Sequence, residues 1–562
     1  MRVWPQLGER RECAMNFLER IFENLEQSAA RPVLREARAE GVVAATGAEL
    51  LSQVRQAREF LRAAGLSRGD RCALLAPNSI RWAALDLALM AEGIVTVPLY
   101  ARQAPVELAA MLRDAQTSAV FCGDAVLRDA ISAAWPEAPR RILSDEVFFA
   151  KGSPSARPPL SISSSDPLTI IYTSGTSGEA KGVILTVGNL DYIVGCTTAR
   201  LDVLMGRTTQ PDRVFHYLPF SFAASWILLL SCLSRSSVLT LAMDLSRLAA
   251  DLGETQPNYF LNVPTLLERM RRSVEDDLHK RGGFILRLFE RGRSAWLSRH
   301  EGRTGLADAL WLAAARTLVF RAIRKKLGPN LRALICGSAP LSLDTQIFFL
   351  MLGLPVLQVY GLTETTGICT MDHPEYFEPG WVGPAAPGIA MKLGENDEIL
   401  VQGPNIFAGY WNRPEETAKA LRDSWFHTGD QGEVNANGNW RIVGRIKNLI
   451  ILNSGHNVAP EPIEEELRRA IPGAEQVILL GNGRGYLAAI VTGKVERALA
   501  EPAFEKVNAN LPHYKQIRMF HVEHSALTIE SGLLTANGKL KRDAIAARFA
   551  NEIAAMYQRK AG

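Results

Sequence analysis

The chain has 562 residues, of which 47% are hydrophobic and 22% charged, the composition of an ordinary globular protein. A net charge of +4 over that length is too weak for a nucleic-acid face, which needs concentrated basic residues, so no nucleic-acid partner is expected. The seven cysteines (Cys13, Cys72, Cys122, Cys196, Cys232, Cys336 and Cys369) form no CxxC pair. This argues against zinc and against a disulfide framework, and for a reducing compartment.

The first residues carry charge but no continuous apolar run, so they are not read as a secretory signal. Met15, followed by the amphipathic set Phe17, Leu18, Ile21, Phe22 and Leu25, reads as the more natural start, with residues 1–14 as a mis-assigned extension. Apolar runs then alternate with helical patterns: strand 71–76, helix 79–92, strand 94–99, helix 105–116 and strand 118–122. Further strands are expected at 168–173, 214–218, 259–263, 331–336 and 356–360. Such alternation predicts parallel sheets covered by helices. Residues 151–166 are rich in Ser and Pro and read as a surface connector. Residues 269–303 read as helical, with ten Lys or Arg against five Asp or Glu. A solvated helical excursion and a contact with an anionic membrane surface are the two readings of that stretch. The most apolar run, Phe222 to Leu233, is too short to span a bilayer. The expected location is therefore cytoplasmic, with contact at most peripheral to the inner face of the membrane. Beyond about residue 390, short strands (398–402, 440–443, 449–452) give way to a helix at 461–470 and strands at 475–480 and 487–492. These predict a compact α+β terminal domain with a boundary near Arg445–Lys447.

The strongest local signal is LTIIYTSGTSGEAKGVIL, residues 168–185. A buried strand runs into a loop of glycines and hydroxyl residues followed by Lys181. Glycines let backbone N–H groups approach a polyphosphate, hydroxyls add donors, and the lysine adds a cation. The spacing fits neither a Walker A loop nor a GxSxG nucleophile elbow.

TSGTSGEAKG resembles the phosphate-binding signature of the adenylate-forming (AMP-binding) superfamily, which includes acyl-CoA synthetases, luciferases and nonribosomal adenylation domains. Matching segments follow in order: Leu218-Pro-Phe, Gly337-Ser-Ala-Pro, VYGLTETTG (359–367), HTGD (427–430), GRIKNLIILNSGHNVAPEPIE (444–464) and TANGKLKR (535–542). The resemblance covers nearly the whole chain. It implies an α/β fold: a large N-terminal domain (residues 1–445) of parallel-rich sheets sandwiched by helices plus a distorted barrel-like subdomain, and a small mobile α+β domain (446–562). It also implies the site. Thr173, Ser174, Gly175, Thr176, Ser177 and Gly178, with Lys181, would hold phosphates. Tyr360 and Gly361 would face one side of adenine and Gly337, Ser338 and Ala339 the other. Thr363 resembles an α-phosphate ligand and Glu364 the Mg²⁺ carboxylate; Asp430 and Arg445 resemble ribose contacts. Lys539 resembles a mobile lysine that bridges carboxylate and α-phosphate, offsetting negative charge at the reacting phosphorus. Lys447 stands at the hinge position, Gly455 and His456 on the face that would meet the thiol, and Phe222 on the acyl side. The chain departs from the usual pattern at Ala180 (Pro), Val187 (His), Phe222 (His) and Asn448 (Asp).

The long helical insertion ending KKLGPNLRALICGSAPL, and SGLLTANGKLKR, resemble long-chain fatty acyl-CoA synthetases. The implied reaction joins a medium- to long-chain fatty acid to AMP using ATP and Mg²⁺, then transfers it to coenzyme A. Transfer to an acyl carrier protein and activation of an aromatic acid are the enzymatic alternatives. A catalytically silent lipid-binding relative is the non-enzymatic one, and the joint retention of Lys181, Glu364, Asp430, Arg445 and Lys539 argues against it.

Overall fold

The first helix, Phe17–Gln27, starts at Asn16, whose side chain accepts from the amides of Leu18 and Glu19 while Glu19 reaches back to the Asn16 N–H. This capping box satisfies the free donors of the first turn. Phe17, Leu18, Ile21 and Leu25 are buried and Phe22 packs against the same core, as the helical period predicts. The computed structural model describes residues 15–148, 157–174, 180–206, 210–303, 305–528, 531–535 and 538–558.

The alternation of strands and helices closes into two large sheets. In the first, Arg140–Leu143, Ala119–Cys122, Arg71–Leu75, Val95–Leu99 and Pro167–Ser174 are neighbours in that order and all parallel. Ala180–Thr186 and then Gly409–Tyr410 extend this sheet antiparallel. The second places Val356–Tyr360, Leu334–Cys336, Tyr259–Asn262, Asp212–His216, Ser237–Ala242 and Pro32–Arg38 side by side, all parallel. Antiparallel edges at Thr370–Met371 and Gly41–Thr46 close it.

Helices fill the space between the sheets. Ile80–Ala91 is buried around almost its whole circumference, which a helix tolerates only when covered on all sides. One core joins Leu34, Leu239 and Leu241 of one sheet to Leu74, Ile171 and Leu185 of the other. The single carboxylate of this helix, Asp86, accepts from the Trp226 indole N–H at 2.7 Å, and burial pushes its carboxyl up to about 7.

The basic stretch at 269–303 is two helices, Pro264–Arg281 and Gly283–His300, parted where Gly282 and Gly283 both take positive φ. Leu306–Ala315 and a π-helical turn at Arg316–Phe320 pack against them around Leu288, Phe289, Ala295, Leu312 and Phe320. The expected strand at 331–336 is shorter, Leu334–Cys336. Within the connector, residues 157–166 have neither helix nor strand and 149–156 lie outside the described residues.

Ala390–Leu393, Glu398–Gln402, Trp425–Val434, Leu421–Arg422 and Trp440–Arg445 form a five-stranded antiparallel sheet. The terminal segment has its own three-stranded sheet, Ala474–Leu480, Leu487–Gly493 and Ile517–Glu523. Both its faces are covered, one by helices Pro460–Ala470 and Arg497–Asn508 and the other by Ile545, Phe549 and Met556.

Candidate active site

Ligands of parallel sheets bind beyond the carboxyl ends of the strands, and the predicted residues gather there. Strand Leu334–Cys336 runs directly into Gly337, Ser338 and Ala339, and the neighbouring Val356–Tyr360 ends on Tyr360 and leads to Gly361. A Cβ on Gly361 would lie 2.5 Å from the Gly367 carbonyl oxygen, so only glycine lets the two turns approach. Thr363 and Glu364 occupy one 3₁₀ turn, Thr363–Thr365.

Two non-glycine residues at these turns are left-handed, Ser338 at φ +72° and Thr366 at φ +50°. Such backbone costs about 1–3 kcal/mol and persists only where its surroundings enforce it. At Thr366 the enforcement is visible. Its hydroxyl donates to the Asn405 carbonyl at 2.7 Å, and the buried Asn405 amide donates to the carbonyls of Thr365 and Ile368 at 3.3 and 3.0 Å. Sequence reasoning did not single out Asn405; its one signal is a Gly-Pro-Asn turn between two strands.

The five-stranded sheet supplies Asp430 and Arg445, which face each other in register across neighbouring strands. Arg445 Nε lies 2.8 Å from Asp430 Oδ1, and the Tyr360 hydroxyl donates to Oδ2 at 2.8 Å. Asp430 is 3% exposed; burial raises its pKa, and Arg445 and Tyr360 oppose that rise. A carboxylate has about four lone-pair sites, so the pair leaves acceptor capacity for hydroxyls laid along the Tyr360 ring.

On the opposite wall Tyr410 donates its hydroxyl to Glu364 Oε1 at 2.9 Å, leaving Oε2 outside that bond. Lys181 stands across the hairpin from Thr173, 5.3 Å from the centre of the Tyr410 ring, and is ion-paired with Glu416. Burial and the like charge of Lys447 lower the Lys181 pKa, and Glu364 opposes them. Ser174 ends the strand; Gly175, Thr176, Ser177 and Gly178 lie outside the described residues. Tyr410 and Glu416 were not anticipated. Both come from GYWNRPEET, a segment distant in sequence that the antiparallel pairing of Gly409–Tyr410 with Ala180–Thr186 brings alongside.

Lys539 reaches this cleft from the terminal segment. Its backbone closes a tight turn, with the Thr535 N–H donating to the Lys539 carbonyl at 2.8 Å and the Lys539 N–H to Thr535 Oγ1 at 3.1 Å. Gly538 supplies the positive φ that the turn needs, +73°. The residue keeps solvent contact at the mouth of the cleft. The surrounding protein and the charge of Arg445 lower its pKa, and Asp430 and Glu364 oppose them. One amine therefore sits in the field of three predicted site residues. The segment is fixed from behind by Arg542, whose guanidinium forks onto Glu464 at 2.8 and 2.6 Å. It is joined to the body through Lys541 and Glu107, 3.2 Å apart, and through the Arg468–Glu268 ion pair.

Lys447 also lies within the field of Lys181. Lys447 occupies the 3₁₀ turn Ile446–Asn448 just beyond Arg445. Gly455 and His456 are exposed, in the turn joining Ile450–Ile451 to Asn457–Val458. His456 stacks on Tyr514, ring centroids 4.3 Å apart. Phe222 opens helix Ala223–Leu233 and meets Tyr100 with centroids 5.7 Å apart. Beside Val359, an apolar cavity of about 60 Å³ is lined by Ala224, Ile227, Leu228, Leu261 and Ile368 among others.

Among the described residues no three His, Cys, Asp or Glu converge on a metal position. Magnesium prefers one or two carboxylates together with phosphate oxygens, so Glu364 fits an ion that arrives on a triphosphate.

A cleft with an aromatic face, a buried carboxylate–guanidinium pair, two lysines and an adjoining apolar cavity suits activation of an acid by a nucleotide. Residues 22–411 match the AMP-binding enzyme family, and residues 447–561 match the AMP-binding enzyme C-terminal domain. The chain belongs to the AMP-binding enzymes. It is 28% identical to the long-chain-fatty-acid–CoA ligase FadD15 of Mycobacterium tuberculosis over 92% of each chain. Long chain acyl-CoA synthetase 1 of Arabidopsis thaliana is 30% identical over 74% of this chain and 69% of that one. ATP-bound MatB from Rhodopseudomonas palustris shares the fold, with a TM-score of 0.72 and 24% identity, covering 95% of this chain and 99% of that one.

Proposed function

We propose that this chain condenses a medium- to long-chain fatty acid with ATP to give acyl-AMP and pyrophosphate. It then passes the acyl group to coenzyme A, releasing AMP. The observation that carries this reading is that Lys539 stands in the field of Asp430, Arg445 and Glu364; an apolar cavity lies beside Val359, the residue before Tyr360. In this reading Tyr360 and the Gly337–Ala339 turn hold adenine, and Asp430 and Arg445 hold the ribose. Lys181 and the hydroxyls and amides of residues 173–178 hold the phosphates. Lys539 and Thr363 meet the α-phosphate, where fixed donors and cations offset the developing charge. Magnesium, when bound at Glu364, would neutralise phosphate charge. Residues 1–445 form the body and 446–562 the moving part, with Lys447 as the joint and Gly455 and His456 on the face turned in for the thiol.

The test is AMP release across straight-chain acids of graded length, with coenzyme A or acyl carrier protein as acceptor. Strong release with medium or long chains and coenzyme A is expected. Release only with aromatic acids, or only with the carrier protein, replaces this reading with the corresponding alternative.

No helix among the described residues is long and apolar enough to cross a membrane. Peripheral contact is supported by the basic insertion, where Phe284, Leu306 and Leu310 are 64%, 90% and 73% exposed. Apolar side chains beside a surplus of cations suit an anionic lipid surface. Sedimentation with anionic liposomes at low salt should carry the protein down; a supernatant holding all of it ends this part of the proposal.

A further inference from the structure

Helix Pro105–Asp114 follows the strand Val95–Leu99 of the first sheet, and its far end is pinned to the walls of the cleft. There the Tyr172 hydroxyl donates to Asp114 Oδ2 at 2.7 Å, Arg413 pairs with Oδ1 at 2.8 Å, and the Trp411 indole N–H donates to the Asp114 carbonyl at 2.9 Å. Tyr172 lies on Pro167–Ser174, one residue before Thr173, and Trp411 and Arg413 follow closely on Tyr410. The helix is thus fixed to two of the stretches that carry predicted or observed site residues. Glu107 stands in its first turn. Gln103 Nε2 donates to Glu107 Oε2 at 2.8 Å, while Oε1 accepts from the Lys541 amine at 3.2 Å. Burial raises the Glu107 pKa, but Gln103 and Lys541 more than offset this and hold it below the ordinary value.

Lys541 is two residues beyond Lys539. The residue between them, Leu540, pairs with Leu534 and packs into the core of the terminal segment. Successive residues of extended chain point to opposite sides, so the inward turn of Leu540 leaves both lysines facing the body. One amine enters the field of Asp430, Arg445 and Glu364, and the other meets Glu107. We propose that Glu107 is a positioning residue for adenylation: by holding Lys541 it sets Lys539 at the reacting phosphate, and the contact breaks when the terminal segment turns for thioester formation. This rests on the role proposed above for Lys539. The Lys541 and Glu107 side chains are 32% and 43% exposed, and an exposed ion pair adds little to overall stability. A weak pair suits a contact that is made and broken in every turnover.

The test follows the two half-reactions separately in Glu107→Lys and in Glu107→Lys combined with Lys541→Glu. Acyl-AMP formation is read as pyrophosphate release in a single turnover at saturating ATP, with the best straight-chain acid of the graded series. Thioester formation is read from supplied acyl-adenylate. Glu107→Lys replaces an attraction by a repulsion, about twice the effect of losing an exposed pair, and should slow acyl-AMP formation by about tenfold. Thioester formation should stay level or quicken, and the melting temperature should hardly change. The double exchange should bring acyl-AMP formation back to within about threefold of the unaltered protein. Unchanged acyl-AMP formation in Glu107→Lys overturns the proposal, as does a double exchange no better than the single one. Equal loss in both steps with a lowered melting temperature also overturns it, since the pair would then only stabilise the fold. Lys539→Ala separates this proposal from the reading beneath it. If that variant forms acyl-AMP normally, the role of Lys539 falls as well; if it does not, while Glu107→Lys does, only the role of Glu107 falls.

Discussion

Asp430 and Lys539 serve one cleft but are held in opposite ways. Asp430 sits on a ten-residue strand, paired in register with the strand of Arg445. Its two oxygens are engaged by Arg445 and Tyr360, and it is almost wholly buried. Lys539 sits on a turn tied to its own segment, by the Thr535 hydrogen bonds and by the Lys541 N–H donating to the Leu533 carbonyl at 2.9 Å. The connection between its segment and the body runs through a few ion pairs, Lys541–Glu107 and Arg468–Glu268 among them. The lesson is one of division: Asp430 is prebuilt into paired strands, whereas Lys539 stands on a separate segment joined to the body in part by side-chain ion pairs, as the proposed function, with a mobile lysine, would require.

The sharpest break of this comparison is Lys539→Ala. If Lys539 meets the α-phosphate as proposed, losing its charge should slow adenylation by about 10²–10³-fold. Conversion of supplied acyl-adenylate to thioester should persist, because in that step the segment would present its other face. Melting temperature should hardly move, since the amine sits at the mouth of the cleft and its loss leaves no buried partner stranded. Direction of pH dependence adds a signature. The Lys539 pKa lies below that of an ordinary lysine, so the charged form is present at low pH and is lost as pH rises through that lowered value. The alkaline limb of kcat/KM for adenylation should accordingly fall earlier than a free lysine would allow, and the thioester step should lack that limb. Equal loss of both half-reactions in Lys539→Ala would show that the lysine is part of the fixed site after all.

Lys447→Pro probes the joint. Proline fixes φ near −65°, the value of a 3₁₀ turn, so it suits the turn Ile446–Asn448 as it stands and opposes a large backbone change. Adenylation should survive within about twofold while thioester formation from supplied acyl-adenylate falls at least about tenfold. Single-turnover measurement of each step checks this, and parallel losses would place the joint elsewhere.

How much of this was readable in the residues follows the same division. The βαβ alternation predicted the parallel sheets because buried strands and covering helices leave local periodic traces. Tyr360, Glu364, Asp430 and Arg445 stood in motifs, and the fold brings them together from three separate stretches. Asn405 could not be read, since its role depends on bracing a left-handed Thr366 across a turn. Glu416 and Tyr410 became neighbours of Lys181 only through strand pairing. The break at Gly282–Gly283 was visible as two adjacent glycines, but the density of charge around it suggested one excursion in place of two packed helices.

The smallest expected effect tests how lightly the terminal segment is held. Glu268 lies on helix Pro264–Arg281 and Arg468 on helix Pro460–Ala470; their side chains are 10% and 19% exposed. Glu268→Gln keeps the shape and removes the charge. Arg468 also reaches Glu465 at 2.7 Å, so its own charge keeps a partner and the loss is confined to the contact between the two helices. A partly screened pair of this kind contributes about 1 kcal/mol or less. If the contact belongs only to the adenylating arrangement, pyrophosphate release in a single turnover should slow by about threefold to fivefold while thioester formation stays level or quickens. A mutant slowed equally in both steps would mean that the pair stabilises the whole chain and not one position of its terminal part, and the weak-grip half of the comparison would then have to rest on Lys541 and Glu107.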